Sequence, residues 1–281
     1  MKAGYAVMLA ALMLMGCKQP AKVKEPAVNS QGQAGTVEVG IFDAVKLKDE
    51  LVQTIRTGPK VQEVSDFLIK SGVTYMPDLT VPTGNVEKYL TTVEQSLANG
   101  MYRFDAYYAK AFNRQDVILQ IVDIYEKLAN KQGLEGELAE FKQLQEKIKA
   151  NMGNKDSLDA VITDAFNTFG AKFTAGIGSD NSAIYGLLYV GANIEGMYIL
   201  TQSALMAKDK GMLVEFIGRQ KERMQVNYMV LEMLAADKSV EPIYLKMKPV
   251  LDVFNKEGQF TEASLKEIAP IIADIRKDIV K

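Results

Sequence analysis

The sequence predicts an all-α protein, a multi-helix bundle or a stack of helical hairpins that follows a flexible N-terminal tether. Three observations predict it. In residues 90–112 the apolar side chains Leu90, Val93, Leu97, Met101, Phe104, Tyr108 and Phe112 recur at spacings of 3, 4, 4, 3, 4 and 4, which sets one stripe along one face of a nearly straight helix. Alternating strand patterns are scarce. Gly133, Gly153, Gly178, Gly211 and Gly258 punctuate the chain at intervals suited to helices joined by short turns.

The first element is not part of that fold. Lys2 precedes an apolar run over residues 6–14, and Gly16 and the single cysteine, Cys17, close it. A charged start, an apolar stretch of this length and a small residue before the cut are the parts of a secretory signal. Residues 3–16 are too few to span the roughly 30 Å of hydrocarbon that takes about 20 residues to cross. Leu14-Met15-Gly16-Cys17 resembles the lipobox of bacterial lipoproteins. That resemblance implies cleavage before Cys17, a diacylglycerol on its thiol and an N-acyl chain such as palmitate on its amine. By the same resemblance, Lys18 in place of aspartate implies delivery to the outer membrane. The lack of an acidic cluster after the cysteine argues against surface export, so the body is expected to face the periplasm.

Residues 17–42 read as the tether. Gln19-Pro20, Glu25-Pro26 and the run 29–35 are poor in large apolar side chains, and about 25 such residues have a root-mean-square span on the order of 25 to 30 Å. Lys18, Lys22 and Lys24 lie close to the anchor, where they could touch anionic headgroups, although solubilising charge in a linker is the simpler reading.

Residues 43–281 are expected to form a single all-helical domain, long enough for a substantial core. Helices are predicted near 43–56, 59–71, 90–112, 115–131, 134–150, 156–174, 181–207, 211–236, 239–256 and 261–280. Asn154 or Asp156, Asp180 or Asn181, and Thr261 with Ser264 supply capping chemistry at three starts. Short connections predict antiparallel neighbours. Pro77 and Pro82 bracket an ordered loop over 75–83.

Within residues 182–207 the only charge is Glu195, among Ile184, Leu187, Leu188, Val190, Ile194, Met197, Ile199, Leu200 and Leu205. A helix apolar all round is either central or in a membrane. Asn193 and Glu195 near its middle favour the central position, because a carboxylate there costs about 2.5 to 3.5 kcal/mol in a bilayer. Gly186, Gly191 and Gly196 would let neighbouring helices approach closely.

Glu195 and Asp105 must therefore be paired, hydrogen-bonded or neutral. A faint repeat, Asn99-Gly100-Met101-Tyr102 against Glu195-Gly196-Met197-Tyr198, suggests two related central helices. If they are adjacent, Tyr102, Asp105, Tyr108, Asn193, Glu195 and Tyr198 could meet in one polar pocket. The alternative is separate buried groups that fix helix register.

Composition excludes a good deal. The chain has no histidine and one cysteine, which removes His-based triads, zincin motifs, thiol nucleophiles and disulfides. No EF-hand loop, Walker A sequence, Gly-x-Ser-x-Gly elbow or Ser-x-x-Lys pair occurs. Gly176-Ile177-Gly178 has Asn181 where a dinucleotide loop needs its third glycine. Loss of Lys2 with the signal takes the net charge from -2 to -3, a balance that does not suggest nucleic acid as a partner.

The segments 98–108 and 193–199 look like those of helical lipoproteins common in Bacteroidota and related bacteria, a resemblance that implies a helical fold and an envelope address but no activity. The function expected from all of this is a noncatalytic, lipid-anchored envelope protein that binds a partner protein or a small ligand, with no metal and no cofactor beyond its covalent lipid. Two competing expectations are an ion-binding protein or enzyme centred on Asp105 and Glu195, and a structural spacer.

Overall fold

In the computed structural model, residues 49, 50, 52–54, 61–133, 135–177, 181–256 and 258–281 are described. Among them the chain is helical and has no strand. Helix α1 is Val61–Lys70, followed by 3₁₀ turns at Pro77–Leu79 and Thr83–Lys88. Then come α2 (Thr92–Ala111), α3 (Gln115–Lys131), α4 (Glu135–Ala150), α5 (Lys155–Gly176) and α6 (Ser182–Met206). The chain continues through α7 (Gly211–Gly218), α8 (Lys221–Leu234), α9 (Glu241–Phe254) and α10 (Glu262–Ile279).

The helix ends follow local chemistry. At α2 the Thr91 side chain accepts the Glu94 backbone N–H while the Glu94 carboxylate accepts the Thr91 N–H, a reciprocal cap. Asn154 caps α5 and Thr261 caps α10 in the expected way, whereas Asn181 makes no side-chain cap. Asp180 and Gly178 lie outside the described residues. Gly133, Gly153 and Gly258 have positive φ, where a side chain would be strained.

Helix α6 is the element around which the rest is arranged. It is, among the described residues, the one helix long and apolar enough to cross a membrane by length and composition, and 72% of its most apolar stretch is buried inside the protein. Its largest partner is α2. Gly100 faces the backbone of Leu188 and Ala192, Gly191 faces the Leu97 carbonyl, and Gly196 faces the Phe104 ring. Residue numbers rise together along both helices, so α2 and α6 run parallel, with their backbones touching through glycine. Sequence neighbours α2 and α3, α3 and α4, α8 and α9, and α9 and α10 pack consecutively, and α10 returns to lie on α6. The antiparallel expectation concerns consecutive helices; at the centre, two parallel helices separated by three intervening helices form the main seam.

Two further expectations differ from the structure. The helix expected at 211–236 is broken between Gly218 and Lys221. There a Cβ on Gly218 would lie 2.7 Å from Cβ of Phe260, and the Gln220 side chain donates to the Phe216 carbonyl at 3.0 Å. Leu90, assigned to the α2 stripe, is 75% exposed because it precedes the cap, while its neighbour Tyr89 is fully buried. The loop over 75–83 contains the Pro77–Leu79 turn and leads into the Thr83–Lys88 turn.

Candidate functional site

The parallel seam decides what the two carboxylates meet. On α2, Tyr102, Asp105 and Tyr108 follow one another at intervals of three and share a face. On α6, Glu195 and Tyr198 do the same. Helix α10 lies on α6 and delivers Arg276 from its last turn.

Arg276 binds Glu195 at two points, Nε to Oε2 at 2.8 Å and Nη2 to Oε1 at 2.9 Å. Its Nη2 also donates to the Leu79 carbonyl at 3.0 Å, and its guanidinium lies 4.2 Å from the centre of the Tyr198 ring. Such a two-point pair, stacked on an aromatic face, suits the planar guanidinium. The Glu195 side chain is 0% exposed and that of Arg276 11%. Asp105, also buried, accepts the Val81 N–H at 2.9 Å through Oδ2.

The same face holds the loop over residues 74–82. Tyr102 donates to the Pro82 carbonyl at 2.8 Å, and Tyr108 accepts the Met76 N–H at 2.9 Å. Tyr75 stacks on Tyr108 with ring centres 5.0 Å apart. Loop backbone is thus paired to side chains of α2 and α10, as buried peptide groups require.

Burial pushes the Asp105 carboxyl well above the usual aspartate range, and the neighbouring Glu195 charge pushes it further. Burial also raises Glu195, against which its hydrogen bonds and charge pairing with Arg276 act. Burial works against the Arg276 cation, and Glu195 more than offsets it. The arrangement that satisfies all three groups places the proton on Asp105 and the charge on Glu195. Asp105 Oδ1 has no hydrogen-bond partner, and Glu195 is the neighbouring carboxyl that acts on it; a proton on Asp105 gives that oxygen a bond to donate. The cluster is then neutral. The same surroundings lift the Tyr89 phenol to about 12, through burial first and the Glu195 charge second.

This assignment has a pH signature. A folded state that keeps a proton on Asp105 above its ordinary value of 3.8 is favoured at low pH, and that advantage is lost as pH rises toward the raised folded value. Asp105→Asn keeps the shape, accepts from Val81 and donates to Glu195 without a proton to lose. The variant is expected to be at least as stable as the native protein at neutral pH, with the difference between them growing as pH rises above about 4. Urea midpoints of both proteins across pH measure it, and a clearly weaker variant at neutral pH would place a charge on Asp105.

The structure gathers Asp105, Glu195 and Tyr198 about Arg276, with Tyr102 and Tyr108 beside them on the loop backbone. Asn193 is elsewhere, and its assignment to the pocket is corrected. It donates to the Tyr189 carbonyl at 3.0 Å and to the Asn227 side chain at 3.1 Å, tying α6 to α8. Two helical residues from Glu195 is about 200° of rotation, which turns Asn193 to the opposite face. Arg276, Tyr89 and the backbone of Leu79 and Val81 are participants that local sequence gave no signal for. Cys17 and the tether lie outside the described residues.

Chemically, a protonated carboxyl beside a carboxylate can pass a proton, and two carboxylates can hold a hard cation. Here the guanidinium occupies the place of such a cation, and Tyr102, Asp105 and Tyr108 are bonded to loop backbone. Among the described residues no group of three or more Asp, Glu, Cys or His converges as metal ligands. The residues therefore fasten α2, α6, α10 and the loop to one another. Compared with known protein families, with curated proteins and with solved structures, the chain matches none.

Proposed function

We propose that this chain is a lipid-anchored, noncatalytic protein of the cell envelope whose helical body binds a partner protein or small ligand on the periplasmic side of the outer membrane. The observation that carries the reading is the N-terminal series Lys2, apolar residues 6–14, Gly16 and Cys17. It is supported by the fate of Asp105 and Glu195, the residues on which an enzymatic or ion-binding reading would rest. Both are buried, Glu195 bonded to Arg276 and Asp105 to the Val81 N–H. Catalysis would need at least one of them free to reach a substrate.

Intact-mass spectrometry of the protein from a Gram-negative host tests the anchor. The mature chain should lack residues 1–16 and carry the mass of a diacylglycerol and an acyl chain. Cys17→Ser should retain residues 1–16 and carry no lipid. A native chain that is cut elsewhere, or uncut and unmodified, would overturn the reading. Native mass spectrometry after gentle extraction then tests the binding half, which predicts a reproducible added mass, either small or of protein size; a bare monomer would favour a spacer.

A further inference from the structure

Among the described residues seven large apolar side chains stand exposed, and three of them, Leu205, Met206 and Met212, fall within one eight-residue corner. The corner is the end of α6, the extended residue Ala207, and the start of α7. The other four, Ile69, Leu90, Met152 and Leu245, belong to four separate segments. Leu205 is 36% exposed, Met206 56% and Met212 38%, while Ala207, Leu213 and Val214 beneath them are buried. The tips therefore stand on a packed base.

The charges around the corner sum to one positive, with Asp209 between Lys208 and Lys210 and Glu215 paired with Arg219. Lys208 is exposed and Lys210 half-buried. The acid between them, Asp209, has its Oδ1 turned onto the Gly211 N–H at 3.1 Å. The next acid, Glu215, is taken up by Arg219 at 2.7 Å. Protein interfaces favour aromatic, arginine and methionine anchors and are depleted in lysine, and of these the corner has its two methionines alone, beside two lysines. This corner has neither an aromatic nor an arginine between residues 205 and 212. Flexible aliphatic tips rimmed by lysine suit instead the boundary between acyl chains and anionic headgroups, where the tips enter and the lysines reach phosphate.

We infer that the corner formed by Leu205, Met206, Lys208, Lys210 and Met212 docks the body onto an anionic phospholipid surface. The inference rests on the reading that Cys17 carries a lipid. An anchor on Cys17 would hold the body near that bilayer at a high effective concentration, so a contact too weak to recruit a free protein is populated in an anchored one. Docking then presents one fixed side of the bundle to the periplasm.

The chain contains no tryptophan, so a single introduced one reports its own site. The full protein carrying Met206→Trp is compared with one carrying Met152→Trp, a site also about half exposed at 52%, on vesicles of phosphatidylethanolamine and phosphatidylglycerol with brominated acyl chains. Emission at position 206 should shift to the blue and be quenched at least about twofold more than at position 152. Adding Lys208→Glu with Lys210→Glu should shrink that difference. Equal quenching at the two positions overturns the inference while leaving the anchor intact. A blue shift at 206 without vesicles that grows with protein concentration assigns the corner to a second copy and also overturns it. Intact mass reads lipidation separately, and the comparison between 206 and 152 reports the corner whatever holds the N-terminus to the vesicle.

Discussion

Replacing Gly100 by alanine is expected to destabilise the protein by more than about 4 kcal/mol, a loss that few single substitutions reach and that many domains do not survive. A Cβ at that position would lie 2.0 Å from the Leu188 carbonyl oxygen and 2.7 Å from the Ala192 nitrogen. Both are backbone atoms inside α6, so no rotamer change relieves the contact. The two helices must separate, and the separation spreads along a seam that buries Leu97, Met101, Leu187, Val190, Ile194 and Met197. Gly191→Ala should be of similar size, since its Cβ would stand 2.0 Å from the Leu97 carbonyl. The pair should be markedly less than additive, because one separation accommodates both methyls. Gly170→Ala in α5 is the control: nothing lies within 4 Å of its Cβ, and the change should stabilise by about 0.5 to 1 kcal/mol through helix propensity. Thermal and urea unfolding of the four variants measure these effects. A Gly100→Ala midpoint equal to the native one would show that α2 and α6 do not touch as described.

The two sides of that seam were unequally legible in the sequence. The glycines of α6 are conspicuous because they interrupt a long apolar helix, and close approach is the ordinary reason for glycine in such a place. What they approach is not a local property. The short repeat pairs Gly100 with Gly196, but in the structure Gly100 lies against Leu188 and Ala192 while Gly196 lies against Phe104. The repeat thus suggested that the helices are related without giving their register. Direction is equally non-local. Short turns predict antiparallel neighbours, as for α2 with α3, but say nothing of helices brought together after three others intervene. Asp105 and Glu195 were visible as charges on apolar faces. Arg276 was not, because a cation in the last turn of an amphipathic helix is what the helix dipole and solvent already favour. Only the return of α10 onto α6 shows that it points inward.

Arg276→Met is expected to cost about 3 to 5 kcal/mol, the range for removing one partner of a buried ion pair. The cost does not measure how much the pair stabilises the fold. It is the penalty of leaving Glu195, at 0% exposure, without its cation and next to a second carboxyl. Glu195→Gln in the same chain should therefore recover most of the loss, since an uncharged amide has far less to lose from burial and can still accept from Asp105. Recovery should be incomplete at the loop. Arg276 also donates to the Leu79 carbonyl, and no amide at position 195 replaces that bond. Hydrogen exchange at Val81 and Met76, whose N–H groups are held by Asp105 and Tyr108, separates the two contributions. An Arg276→Met variant with native stability would mean that Glu195 is neutral in the folded protein, contrary to the charge assigned here. A double variant of near-native stability but with faster exchange over residues 76–82 would show that the ion pair contributes little to the global balance. The guanidinium would then be retained for holding the loop against α2 and α6, a local order that an apolar pair of similar volume does not provide.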